Sequence, residues 1–261
     1  MYNHTLDPIL IDLGFLSIRW YSLAYILGVL MGWYLGRKII THLLQNNSLN
    51  ININQFDDFI SYLIISIILG GRIGYILFYN LHYYILNPLD IFKIWEGGMS
   101  FHGALLGIVV GSYIFSIKNK IKIFVLLDIV ACVSPVGIFL GRLANFVNGE
   151  LYGKPTNQKW GVIFSKVDSV LRHPSQLYEA FLEGIIIFII LNLIIFKSKY
   201  KPGICSSIFL ITYGTFRVLV EQYRVPDPQI GLLLEYISMG SLLSLIMIVL
   251  GMVIFFYSKK K

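Results

Sequence analysis

The chain has 261 residues, of which 56% are hydrophobic and only 13% are charged. Soluble domains carry about 25% charged residues, so this composition excludes an ordinary soluble globule and indicates an integral membrane protein. The formal charge of +7 is spread along the chain rather than gathered on one polar domain, which suits a membrane surface and excludes a nucleic-acid partner.

Apolar runs near the ~20 residues needed to span a bilayer predict seven transmembrane helices, at roughly 20–38, 59–80, 99–117, 123–145, 178–196, 203–222 and 235–257. The expected fold class is an all-α integral membrane protein, a single polytopic domain over residues 1–261. Ahead of the first span lie Asp7, Asp12 and Arg19, without the basic n-region of a cleavable signal. Between spans two and three, Tyr83, Tyr84 and Trp95 alternate with apolar residues, the pattern of a segment lying along the interface. The longest connection, 147–177, is rich in Gly, Pro and Asn and reads as a small irregular head. Cys132 and Cys205 fall inside apolar runs and read as buried small hydrophobes, not as a disulfide, a metal site or reactive thiols.

The lysines and arginines sort by loop. Arg37 and Lys38, Lys118, Lys120 and Lys122, Lys197, Lys199 and Lys201, and Lys259, Lys260 and Lys261 cluster on one side. Arg19, Lys93, Lys154, Lys159, Lys166, Arg172 and Arg224 fall on the other. The positive-inside rule puts the first set in the cytoplasm, so the N-terminus and the 147–177 head are expected outside and the C-terminus inside.

Three arginines remain within spans: Arg72, Arg142 and Arg217. Each lies a few residues short of the outer end of its span, and His102 and Tyr21 are expected at the same level. A guanidinium at membrane depth is costly and marks a functional site unless it snorkels to the headgroups. Arg72, flanked by glycines in Gly70-Gly-Arg-Ile-Gly74, is the one expected to be purely structural. The candidate partners are Glu150, Glu179 and Glu221, or an anionic ligand. Arg142 and Asn145 are spaced i,i+3 and Arg217 and Glu221 i,i+4, so each pair shares a helix face. Tyr213, Arg217, Glu221 and Arg224 form a stripe suited to one wall of a polar cavity. Guanidinium forks in such a cavity match phosphate oxygens.

His102-Gly-Ala-Leu-Leu-Gly107, Gly141-Arg-Leu-Ala-Asn-Phe-Val-Asn-Gly-Glu150, Arg172-His-Pro-Ser-Gln-Leu-Tyr-Glu179 and Phe216-Arg-Val-Leu-Val-Glu-Gln-Tyr-Arg224 closely resemble the signature segments of bacterial prolipoprotein diacylglyceryl transferase. The resemblance extends from Trp20-Tyr21 to about residue 230. It departs at Ala104, where the family has a second glycine, and in a short head between Gly153 and Arg172. It implies a multi-pass enzyme of the bacterial cytoplasmic (inner) membrane that moves the diacylglyceryl group of phosphatidylglycerol to the thiol of a lipoprotein precursor. The implied partners are phosphatidylglycerol, the signal-peptide (lipobox) segment of the precursor and membrane lipids, with no cofactor or metal. The implied functional residues are Tyr21, His102, Arg142, Asn145, Glu150, Gly153, Tyr213, Arg217, Glu221 and Arg224.

That chemistry requires a deprotonated substrate thiol, a stabilised phosphate leaving group and exclusion of water. Arg142 and Arg217 are expected to hold the phosphodiester. His102 is the candidate base, although a cationic field alone could ionise a thiol whose pKa is about 8.5. Asn145 and Tyr21 are expected at the glycerol hydroxyls, Glu150 and Glu221 as partners orienting the arginines, and Gly153 as a backbone requirement. A lipid transporter would use the same arginines, but would want polar residues at both levels. A serine protease built on Ser100 and His102 is disfavoured because i,i+2 side chains diverge on a helix. A purely structural subunit would not need so many matched polar positions.

Overall fold

The computed structural model describes residues 2–14, 17–46, 51–93, 97–197, 199–225, 232–233 and 237–260. Helices dominate: α1 (Trp20–Gln45), α2 (Ile53–Tyr79), α3 (Leu81–Leu86), α4 (Phe101–Asn119), α5 (Ile123–Asn148), α6 (Ser175–Glu179), α7 (Ile187–Lys197), α8 (Ile204–Glu221) and α9 (Met239–Lys260). A π-helical turn, Ala180–Ile186, joins α6 to α7 without a break. Among the described residues six helical segments are long and apolar enough to cross a membrane, and a further apolar helix, Gly103–Asn119, is shorter. Large apolar side chains such as Tyr25, Ile65 and Phe256 lie exposed along these helices, as expected of surfaces that meet lipid rather than water. The protein is a helical membrane protein.

Helix starts differ from the hydropathy pattern where polar caps decide them. The second helix begins at Ile53, ahead of the predicted 59, because Asn52 and Gln55 form a reciprocal capping box. Ser100 caps α4 by accepting from the Gly103 amide at 3.2 Å, so His102 is the second residue of its helix rather than one turn in. The fifth apolar helix begins at Ser175, directly after Pro174. Trp95 lies outside the described residues.

The polar segments are not wholly irregular. Strand β1 (Tyr2–His4) pairs in parallel with β4 (Val162–Phe164), which pairs antiparallel with β5 (Leu171–Arg172). The predicted head is therefore held by a three-stranded sheet whose first strand comes from the N-terminus. Two smaller pairings are present among the described residues, β2 (Ile9–Asp12) with β3 (Ser17–Arg19) and β6 (Leu232–Leu233) with β7 (Ile237–Ser238).

The chain divides into two compact units, one of Ile40–Leu127 and one of the residues on either side of it. Within the first, α2 and α4 approach through glycines: a Cβ at Gly74 would stand 2.6 Å from the Gly103 Cα. The approach runs through Gly103, one residue before Ala104. Arg72 is buried in this unit, where Nε donates to Ile91 O at 2.9 Å, Nη1 to Gly97 O at 2.5 Å and Nη2 to Asp90 O at 2.6 Å. Among the described residues five carbonyls, those of Asp90, Ile91, Lys93, Gly97 and Gly98, receive its guanidinium, a structural anchor made by these rather than by the flanking glycines.

In the second unit, Gly184 of the π turn packs on α5, where an added Cβ would lie 2.7 Å from Phe139 Cβ. Asp128 of α5 closes the start of α8: it accepts from the amides of Gly203 and Ser206, both at 2.6 Å, and from Ser206 Oγ at 2.5 Å and Tyr200 Oη at 3.0 Å. A carboxylate at a helix N-terminus meets unpaired amides and the positive end of the dipole, which offsets its burial. Cys132 and Cys205 are both buried and not disulfide-bonded.

Candidate active site

Arg142 lies two turns from the end of α5 and Arg217 one turn from the end of α8, both largely buried. They meet at carboxylates from α6 and the π turn. Arg142 Nη1 stands 3.1 Å from Glu179 Oε2, and its Nη2 donates to Glu183 Oε2 at 3.2 Å. Arg217 Nη1 donates to Glu179 Oε1, and its Nη2 is 3.0 Å from Glu221 Oε2. Arg224, beyond the end of α8, donates from Nη1 to the same Glu179 Oε1 at 3.2 Å. Glu179 and Glu183 are fully buried. Among the described residues three guanidiniums face three carboxylates, and pairing of this kind is the condition under which buried ions persist. Tyr213, buried one turn before Arg217, stacks on Phe209 at 5.6 Å and lies within electrostatic reach of Glu183, Arg142 and Arg217.

A second polar group forms on the same end of α5. Asn145 donates from Nδ2 to Tyr21 Oη at 2.7 Å and to Glu150 Oε1 at 2.9 Å. Gly149, with φ of 70°, ends the helix, and the Glu150 amide folds back to Asn145 O at 3.1 Å. The loop that follows is fastened from α6: Gln176 Nε2 donates to Glu150 O at 2.6 Å and Ser175 Oγ to Leu151 O at 3.0 Å. Ser175 and Gln176 are themselves fully buried.

Gly153 crosses the His173 and Tyr223 backbones so closely that a Cβ would lie 2.5 Å from His173 O and 2.7 Å from Tyr223 O. The requirement for glycine is close approach, not a left-handed φ. Gly153 also bridges to Arg224, which ties the head to the arginine cluster. Outside it, Arg172 binds Asp168 at 2.6 Å and holds that carboxyl below the usual carboxylate range. Burial lowers the His173 pKa, and its Nδ1 is 3.1 Å from Tyr178 Oη.

A family model described as prolipoprotein diacylglyceryl transferase matches residues 8–257. The chain belongs to the prolipoprotein diacylglyceryl transferase family. It is 49% identical over 248 residues to the phosphatidylglycerol–prolipoprotein diacylglyceryl transferase of Rickettsia felis, covering 94% of each chain. The enzyme of the same description from Ehrlichia ruminantium is 49% identical over 253 residues, 95% of each chain. That from Rickettsia akari is 48% identical over 248 residues.

Of the residues the resemblance to this family singles out, the structure brings Arg142, Tyr213, Arg217, Glu221 and Arg224 into one cluster and Tyr21, Asn145 and Glu150 into another. Glu150 does not orient an arginine as expected: its Oε1 receives Asn145 and also Asn148, at 3.3 Å. That role falls to Glu179, Glu183 and Glu221. Glu179 appears in the sequence only as a possible partner, and Glu183 escapes a reading that follows the basic residues. The signal for both was present, since an acidic residue inside an apolar run is as costly as a basic one. His102 belongs to the Ile40–Leu127 unit, and its side chain lies outside the described residues.

Proposed function

We propose that this protein transfers the diacylglyceryl group of phosphatidylglycerol to the thiol of a lipoprotein precursor, with Arg142 and Arg217 holding the lipid phosphate. The observation that supports the assignment is the convergence of these two guanidiniums, from different helices, on the two oxygens of a single anionic group, the Glu179 carboxylate. Donors so arranged suit a phosphodiester, whose two non-bridging oxygens form a comparable edge.

The substrate sulfur attacks the glyceryl carbon that carries the phosphate. The S–C bond forms, the C–O bond breaks, and glycerol phosphate leaves with the electron pair. Arg142 and Arg217 stabilise the charge that grows on the departing oxygen. His102 is the proposed acceptor of the thiol proton. Tyr21 and Asn145 orient the glycerol portion, Glu150 fixes the Asn145 amide, and Tyr213 closes the apolar side of the site. Glu221 steadies Arg217, while Gly153 and Arg224 couple the site to the head.

The proposed setting is the bacterial cytoplasmic membrane, with seven spans, the N-terminus and head outside and the C-terminus inside, and one polytopic domain bearing the 147–177 head. The clustered lysines at 118–122, 197–201 and 259–261 support this orientation. The precursor's lipobox segment would then meet the site from the outer side.

Purified protein incubated with labelled phosphatidylglycerol and a peptide bearing a lipoprotein-type cysteine is expected to yield a thioether-linked diacylglyceryl peptide and glycerol phosphate. Movement of lipid between leaflets without thioether product would replace this reading with that of a transporter.

A further inference from the structure

The cluster has a pattern that its charges alone do not require. Arg142 and Arg217 share Glu179, and each also has a carboxylate of its own, Glu183 for Arg142 and Glu221 for Arg217. The shared carboxylate lies where one acceptor can meet both guanidiniums, and the private ones lie on the flanks. On the Arg142 side the shared contact is also the poorer one. Glu179 Oε2 has no aligned hydrogen bond among the described residues, whereas Arg142 donates to Glu183; on the Arg217 side the order is reversed, with Glu179 Oε1 accepting from Nη1 and Glu221 Oε2 held as an ion pair at 3.0 Å. Glu179 has a third partner, Arg224, to which it can stay bonded if the other two are withdrawn.

We infer that Glu179 is an exchangeable internal anion whose place between Arg142 and Arg217 the substrate phosphodiester takes, while Glu183 and Glu221 are positioning residues that keep both guanidiniums aimed. The inference rests on the reading that these arginines bind the lipid phosphate. Displaced from between the two arginines, Glu179 keeps Arg224 as its partner. An internal competitor lowers apparent affinity in proportion to the fraction of the protein in which it has vacated the site.

The test is binding of a water-soluble, short-chain phosphatidylglycerol to the purified full-length protein, together with kinetics. Glu179→Gln removes the competing charge at nearly constant shape and is expected to bind this lipid about tenfold more tightly. Glu183→Gln is expected to leave KM within about threefold and to lower kcat at least about tenfold, with partial recovery in Glu183→Asp, because it loosens the aim of Arg142 without emptying the shared position. Should Glu179→Gln fail to fold, Glu179→Asp, whose shorter side chain reaches the two guanidiniums less well, is expected to bind the lipid several-fold more tightly than the wild type. Unchanged or weaker binding in Glu179→Gln, or in Glu179→Asp where that is the variant that folds, would overturn the exchange while leaving the phosphate-binding arginines in place. Unaltered lipid binding in Arg142→Ala with Arg217→Ala would instead remove the reading on which it rests.

Discussion

Asn145 and Tyr21 are 124 residues apart in the chain, yet the Asn145 amide donates to the Tyr21 hydroxyl at 2.7 Å. The same amide nitrogen reaches Glu150 at 2.9 Å, so the side chain is held from two sides and its carbonyl oxygen is aimed by them. Tyr21→Phe removes one of those holds without opening a cavity. A lost hydrogen bond of this kind costs about 1 kcal/mol. Transfer is therefore expected to fall about fivefold, chiefly through KM for the lipid, with little change in melting temperature. Steady-state kinetics with varied phosphatidylglycerol checks the split, and an unchanged KM would assign Tyr21 a role outside lipid positioning.

Arg142→Lys keeps the charge and discards the fork. Arg142 uses both terminal nitrogens, one on Glu179 and one on Glu183, and an ammonium cannot span the two carboxylates in the same plane. Removing one preorganised donor from a developing anion costs about 10²–10³ in rate, and a loss of that order in kcat is expected here. A lysine variant within a few-fold of wild type in the thioether assay would show that net charge at this point suffices.

How much of this was legible in the chain differs from residue to residue. The apolar runs located the long helices, since hydrocarbon thickness dictates their length. Starts differ from the hydropathy pattern where a cap outweighs it, as at Asn52 and Ser100. Arg142 and Arg217 stood out because an intramembrane guanidinium is expensive. Glu183 and Asp128 carry the same expense, but the pattern of basic residues does not point to them. The pairing of Tyr2–His4 with Val162–Phe164 gives almost no sequence signal, because three-residue strands about 160 positions apart have no periodicity to detect.

Gly153→Ala tests the junction between head and site. The added methyl would stand 2.5 Å from one carbonyl oxygen and 2.7 Å from another, both of them backbone that cannot swing aside. The strand crossing must open, at a cost of about 1–3 kcal/mol typical of overpacking. Arg224, bridged to Gly153, should move with it. Loss of most transfer activity, together with faster proteolysis between residues 153 and 172, is the expected result. An active variant with a protease-resistant head would mean the crossing can relax.

The two cysteines offer a control on where the reacting sulfur comes from. Both are buried, and Cys132 Sγ lies 4.0 Å from the Leu191 carbonyl rather than near any arginine of the cluster. The combined Cys132→Ala and Cys205→Ala variant is expected to keep at least about half of the wild-type transfer rate, with a stability loss near 1 kcal/mol from two small cavities. If a well-folded double variant lost the reaction, the nucleophile would have to be sought in the protein rather than in the precursor.

Asp128 sets the position of α8 and so, at a distance, of Arg217. It gathers two amides and two hydroxyls at the start of that helix, and Arg217 stands a little over three turns along it. Asp128→Asn removes the negative charge that faces the helix N-terminus and turns one acceptor into a donor opposed to other donors. Burying an unsatisfied donor costs about 1–3 kcal/mol. A lower melting temperature in detergent is expected, with kcat reduced and lipid KM nearly unchanged. Asp128→Ser, which retains an acceptor of ordinary capping quality, should recover part of the stability. Equal melting temperatures for wild type and Asp128→Asn would show that the cap contributes nothing to holding α8, and the register of Arg217 would then rest on the packing of α8 against α9, where Gly214 meets the Ser244 backbone.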